Sequence, residues 1–333
     1  MNIGIVGVGG IAGAHLGGYR KIDNAQITAL CDIIPERASG TTHESALNIG
    51  TVGGGTALQV KSYLDYREFV RDPDIEMVDV CLPTDLHAEV TIAALEAGKH
   101  VLCEKPMALN VEDCDRMIAA ANASGRSLMI AQCIRFWPEY AVVKELVDSG
   151  KYGKVTSALF RRLSGLPKWS EWFPKPERSG GAILDLHIHD VDFINYLLGL
   201  PKRVVAVGVE DEHGIGQVMT RYCYDGDEAI FAEGGWYYPP SFPFRMTFVV
   251  RMEGATVEYD PGNKPFTVYP EDGAPFTPEL QDGDGYYHEI AYFIDCISRG
   301  VAPEIVTAWD ARETIRMVLA EAESVRSGKA VEL

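Results

Sequence analysis

Positive charge and long apolar runs are both in short supply in this chain of 333 residues. Lysine and arginine together number 30 against 48 aspartates and glutamates, a formal net charge of −18. Such a surface repels a phosphate backbone, which argues against nucleic acid as a partner, and it is equally ill-suited to an anionic membrane. Only IGIVGVGGIAGA (3–14) is apolar enough to suggest a targeting segment or a span. No lysine or arginine precedes it and five of its twelve residues are glycine, which suits neither role. The seven cysteines, at 31, 81, 103, 114, 133, 223 and 296, include no C-x-x-C pair. Odd in number and scattered through apolar runs, they read as reduced, buried thiols, and a cytoplasmic protein is expected. Internal repeats and low-complexity tails are missing too.

What is present begins with alternation. NIGIVG (2–7), QITALCD (26–32), MVDVCLP (77–83), HVLCEK (100–105) and SLMIAQC (127–133) are near-continuous apolar stretches, the pattern of strands buried on both faces. Amphipathic segments lie between them, such as 87–99 and 111–125, each closing near a glycine that can cap a helix. Strand then helix, repeated, predicts a parallel sheet over residues 1–133. After 134 the texture changes. A helical stretch (138–153), a strand (154–163) and a Trp- and Pro-rich loop (165–181) lead to several strand-like runs within 203–270, which predict a mostly antiparallel sheet. The expected fold class is therefore an α/β domain with a parallel sheet over 1–133, then an α/β domain with a large open sheet over 134–333. The C-terminal helix is a candidate to pack back on the first domain. GTVGGGT (50–56) reads as a surface loop.

GVGGIA (7–12) follows the first strand and opens a helix, fitting G-x-G-x-x-A. Gly7 suits the tight turn, and Gly9, Gly10 and Ile11 bring backbone N–H groups toward a pyrophosphate. Ala12 permits close helix packing, and the helix N-terminus adds partial positive charge. Asp32, twenty residues past Ala12, ends the second strand where a carboxylate accepts from ribose hydroxyls. It also repels a 2′-phosphate, which favours NAD; Arg37 nearby keeps NADP open as the alternative. Two further strand-end turns face the same crevice in such a sheet. One carries Pro83, Thr84 and His87; the other is Glu104-Lys105-Pro106. Proline holds Lys105 extended at the end of a buried strand, where a lysine is an odd structural choice. The bland alternative is a snorkelling surface lysine.

The densest titratable cluster is LDLHIHDVD (184–192). It can serve as a metal site, a proton relay or a solvated helix start. On a helix, Asp185, His189 and Asp192 share one face, with His187 and Asp190 on another. The first three are read as an inward trio and the other two as an outward, solvated pair. H-x-H converges on a metal from a strand rather than a helix, so no metal is expected.

Taken together, GVGGIA, Asp32, LPTDLH, GKHVLCEKPMA (98–108) and GGAILDLHIHDVD (180–192) resemble the Gfo/Idh/MocA oxidoreductases along the whole chain. The resemblance implies a Rossmann domain, an α/β domain with an open sheet, assembly as a homodimer or homotetramer, and hydride transfer between nicotinamide and a secondary alcohol of a sugar, cyclitol or related polyol. It implies that Lys105 holds the reacting oxygen, that Asp185 and His189 are the second motif's pair, and that Asp192 lies on the substrate side. His189 is then the general base, Lys105 the electrostatic partner of the developing alkoxide, and Asp185 their orienting group. Arg135, Arg162, Trp169, Trp172, Trp236 and Tyr286 are candidates for the specificity wall. His187 departs from relatives that carry glycine there, and 50–61 looks longer than the usual connection. Three rivals remain at this point: an NADP-linked reductase of a keto-sugar or imine, a non-catalytic dinucleotide sensor, and a metal-dependent hydrolase built on H-x-H.

Overall fold

In the computed structural model, residues 1–40, 58–168 and 170–333 are described in full, and 44–47 and 50–53 by their backbone. Trp169 and most of the 41–57 stretch fall outside the described residues, so the wall position given to Trp169 has no structural account.

The chain divides into two compact units: Met1–Cys133 with Asp284–Arg312, and Ile134–Gly283 with Glu313–Leu333. The first is built on six strands: β1 (Asn2–Val6), β2 (Gln26–Cys31), β3 (Lys61–Tyr63), β4 (Met77–Val80), β5 (His100–Glu104) and β6 (Leu128–Ala131). Their order is β3-β2-β1-β4-β5-β6, and every neighbouring pair is parallel. The order reverses between β1 and β4, and that reversal point is where a doubly wound sheet opens its crevice. Helices α1 (Gly10–Tyr19), α2 (His87–Glu96) and α3 (Val111–Ser124) make crossovers. Helix α3 shows why the sequence breaks where it does: the Asn110 side chain accepts from Asp113 N–H, and Gly125, at φ 64°, ends the helix.

Two expectations need correcting here. The second unit does not run uninterrupted from 134, because Asp284–Arg312 belongs to the first. That segment carries helix α6 (Gly285–Arg299), whose apolar stripe needs a partner; a Cβ added at Gly18 of α1 would lie 3.0 Å from Ile290. The last helix, α7 (Ala308–Ser327), starts in the first unit and continues in the second. Within 50–56, moreover, Gly50–Gly53 is a strand paired antiparallel with Glu44–Leu47 rather than a loop; 54–57 lie outside the described residues.

The second unit contains α4 (Pro138–Asp148), β7 (Val155–Gly165), α5 (Ile188–Leu198) and the strands β8 (Arg203–Asp211), β9 (Gly214–Cys223), β10 (Ala229–Tyr238), β11 (Arg245–Met252), β12 (Ala255–Asp260), β13 (Lys264–Pro270) and β14 (Val331–Glu332). The sheet order is β13-β12-β11-β7-β10-β9-β8-β14, antiparallel except for β7 beside β10. One face is filled by Phe160, Phe248 and Phe193, with Tyr140 edge-on at 4.8 Å to the latter two. All seven cysteines are free thiols and six are buried. Among the described residues no helix is long and apolar enough to cross a membrane.

Candidate active site

The glycine-rich turn of the first unit is built to admit something. Gly7 takes φ 86°, and a Cβ there would lie 2.6 Å from the Cys81 carbonyl oxygen, so the turn closes only with glycine. A Cβ at Gly9, in contrast, would meet nothing within 4 Å. Gly9 caps α1 without a side-chain hydrogen bond, which leaves the helix's first N–H groups for an anionic ligand. Ala12 is buried. Asp32 is drawn against this turn, its two oxygens accepting from Val8 N–H (2.8 Å) and Ile34 N–H (2.9 Å). Arg37 is exposed on the single helical turn Pro35–Ala38. These residues fit a dinucleotide: an open, donor-rich turn for the pyrophosphate, and a fixed carboxylate beside it.

The two neighbouring turns are tied together from behind. His87 is buried with Nδ1 2.7 Å from the Pro106 carbonyl oxygen and Nε2 2.8 Å from that of Leu82. Its ring is engaged by protein on both sides. His87 therefore ties the two turns together. Thr84 is buried as well, in a short 3₁₀ turn that begins after Pro83. Lys105 follows β5, joined to Pro106 by a cis peptide bond and partly exposed. Its backbone N–H donates to Glu104 Oε2 at 3.0 Å.

In the second unit the five titratable groups of LDLHIHDVD do not sort as the helical spacing suggests. Gly180 and Gly181 both take φ 76°, and Ile183–His187 is a π-helical turn leading into α5. The wider turn breaks the 3.6-residue periodicity between Asp185 and His189, so faces counted across it are displaced. His187 and Asp190 are fully buried, not solvated. His187 Nε2 lies 2.9 Å from Glu321 Oε2, and a Cβ at Gly234 would run into its ring. Asp190 pairs with Arg162 (2.9 Å), which also donates to the Tyr140 hydroxyl (3.2 Å). Asp192, expected on the substrate side, is fully buried and accepts both Nε and Nη2 of Arg135 at 2.7 Å, with Thr314 Oγ1 donating at 3.0 Å. Arg135 and Arg162, candidates for the specificity wall, and Asp192, expected on the substrate side, are thus held in buried ion pairs, since buried charge persists only when paired. Asp185 and His189 alone of the five keep partial exposure.

The remaining wall candidates scatter. Trp172 is half-buried and stacked on Phe173 at 4.0 Å, while Trp236 is buried edge-on to Phe173. Tyr286 lies on α6 in the first unit, its ring 6.0 Å from His15. Sequence reasoning passed over a cluster beside it. Among the described residues, the groups close enough to share one cation are His15–Asp79–Cys81 and His15–Glu104–Glu289, all buried. One signal was legible: Asp79 is a charge in the fully buried strand MVDV.

The parallel six-stranded sheet with its glycine-rich turn and carboxylate defines a dinucleotide-binding protein, here followed by a large mixed-sheet unit. Residues 1–132 match the oxidoreductase family with an NAD-binding Rossmann fold, and residues 140–241 match the GFO/IDH/MocA C-terminal domain. The chain belongs to the Gfo/Idh/MocA oxidoreductase family. It is 33% identical to the myo-inositol 2-dehydrogenase of Thermotoga maritima over 66% of this chain and 63% of that protein. It is 32% identical to the levoglucosan dehydrogenase of Pseudarthrobacter phenanthrenivorans over 62% of this chain and 53% of the relative. The matches thus span less than two thirds of these relatives' length. The fold is also that of an aldose-aldose oxidoreductase from Caulobacter crescentus, at TM-score 0.85 and 24% identity over 100% of this chain and 99% of that one.

Proposed function

We propose that the protein is an NAD-dependent dehydrogenase of a secondary alcohol on a sugar, cyclitol or related polyol. The observation that carries this reading is the burial pattern of LDLHIHDVD: His187, Asp190 and Asp192 are fully buried in pairs, and Asp185 and His189 are partly exposed. The inositol and levoglucosan dehydrogenases among the relatives support the substrate class. Gly7, Gly9, Gly10 and Ile11 would hold the pyrophosphate and Asp32 the ribose. When bound, NAD supplies the hydride acceptor. His189 takes the hydroxyl proton, Lys105 stabilises the developing negative oxygen with its ammonium group, and Asp185 orients them. A panel of inositols, aldoses and anhydrosugars assayed with NAD and with NADP tests the reading. Absence of reduction with every alcohol would leave a sensor as the better account.

The cofactor preference has its own test. Asp32→Ser removes the ribose acceptor and the repulsion of a 2′-phosphate, so KM for NAD rises and the gap to NADP narrows. Should the unaltered protein already prefer NADP, exposed Arg37 is the determinant and this part of the reading is wrong.

Assembly through the second unit's sheet belongs to the same reading. Along β8, Val204 and Ala206 are buried while Val205 and Val207 are exposed, the alternation of a sheet covered on one face only. Across the strands, Val249, Leu159 and Phe231 lie in register, and Met219 faces Val207. An exposed apolar face of this breadth suits a second copy of the chain. Phe231→Asp is expected to shift the light-scattering mass toward the monomer. A parent protein already monomeric at micromolar concentration would refute the interface.

A further inference from the structure

The cluster around His15 links helix α1 to the backbone of Lys105. His15 is fully buried, with Nδ1 2.8 Å from Asp79 Oδ2 and Nε2 2.9 Å from Glu104 Oε1. Asp79 also accepts from the Tyr19 hydroxyl (2.9 Å) and the Cys81 thiol (3.5 Å). The second oxygen of Glu104 accepts from Lys105 N–H. A neutral imidazole has one N–H and cannot donate to two carboxylates; an imidazolium can. Burial alone would pull the His15 pKa down, but the Asp79 charge beside it, with Cys81, holds it well above the ordinary histidine value. From α6, Glu289 brings a fully buried carboxyl that finds no hydrogen-bond partner among the described residues on either oxygen. Burial pushes its pKa well above the usual carboxylate range, His15 opposing and Glu104, Asp79 and Asp284 adding to the rise. Tyr286, on the same helix, has its ring 6.0 Å from that of His15.

We infer that His15 is a positioning residue for Lys105: donating to Asp79 and Glu104 at once, it fixes the Glu104 carboxylate, whose other oxygen anchors the Lys105 backbone. The inference rests on the role proposed above for Lys105. It accounts for a buried polar triad between helix α1 and two strands of the parallel sheet, where an apolar trio would pack at less desolvation cost. It also explains why the strand-end lysine follows a glutamate. An amide at 104 would place its NH2 against one of two donors, whereas a carboxylate accepts from both.

The test compares His15→Gln, Glu104→Gln, the double variant and Lys105→Met in the full-length enzyme, with NAD and the alcohol the panel selects. Each of the first two is expected to lower kcat about 10–100-fold, the size of effect a displaced catalytic group produces, while KM for NAD stays within about twofold. In the double variant the amide introduced at position 104 can donate to the one introduced at position 15 and still accept from Lys105 N–H. Its kcat should therefore exceed that of either single variant, a coupling that independent packing losses do not give. If His15→Gln does not fold, the comparison of Glu104→Gln with the double variant carries the same prediction. Unchanged kcat in both singles, or additive losses in the double, would overturn the inference while Lys105→Met remains inactive. So would a stoichiometric divalent metal in the purified protein that Glu104→Gln releases. A fully active Lys105→Met enzyme would instead overturn the reading of Lys105 itself, and this inference with it.

Discussion

The His189→Ala enzyme is expected to turn over about 10²- to 10⁴-fold more slowly than its parent, roughly 3–5 kcal/mol of barrier, while binding NAD almost as well. The asymmetry follows from position. His189 lies at the start of α5 in the second unit, whereas the glycine turn and Asp32 lie in the first. Lys105→Met is expected to cost at least as much, because it removes the one charge assigned to the developing alkoxide. If both groups serve the same reacting hydroxyl, the double variant loses less than the product of the two singles. Thermal unfolding separates chemistry from folding here. His189 is partly exposed, so its alanine variant keeps a melting temperature close to the parent's. His187→Ala behaves in the opposite way: it strips the partner from the buried Glu321 carboxylate, and its activity falls only in step with the folded fraction. Activity abolished by EDTA and restored by a divalent ion would defeat this account. An undiminished rate in the His189→Ala enzyme would defeat it as well.

Local pattern carried most of the fold. Five of the six parallel strands are apolar runs whose limits in the structure lie within three residues of the sequence reading, because strands buried on both faces are mostly apolar. The sixth, Lys61–Tyr63, is a short edge strand with little burial to mark it. The mixed sheet was legible from its alternation, but its one parallel pairing, β7 beside β10, joins strands more than sixty residues apart and leaves no local trace. What was legible of the candidate site is local: Gly7 takes the positive φ of a tight turn, Gly9 caps the first helix, and the Asp32 carboxylate accepts from Val8 and Ile34 N–H. Where the site rests on long-range pairing the sequence misled. The partner of His187 is 134 residues away, and that of Asp192 is 57 residues away. The π turn at Ile183–His187, which no spacing rule anticipates, shifts the count of faces across it, and His187 and Asp190, read as an outward pair, are buried.

Breaking one of those pairs should be the most damaging change to stability. Arg135 and Asp192 meet through two 2.7 Å hydrogen bonds with both side chains buried, and Thr314 supplies a third donor to the carboxylate. Arg135 also lies over the Tyr196 ring at 4.6 Å. Removing either partner strands the other charge without water. Arg135→Met is therefore expected to cost about 3–5 kcal/mol, the usual range for an orphaned buried ion. For a unit of this size that corresponds to a melting temperature lower by roughly 6–20 °C. Thr314→Val deletes one hydrogen bond but leaves the pair, and should cost about 1 kcal/mol. Arg135→Met combined with Asp192→Leu is expected to recover most of the loss, since neither member of the pair is then left as an orphaned charge. Kinetics discriminates the two roles this arginine has been given. As a buried partner of Asp192, Arg135 affects turnover through the folded fraction, and KM for the alcohol is unchanged in whatever enzyme remains folded. A raised KM at an undiminished melting temperature would mean that Arg135 leaves Asp192 to meet substrate, returning it to the specificity wall.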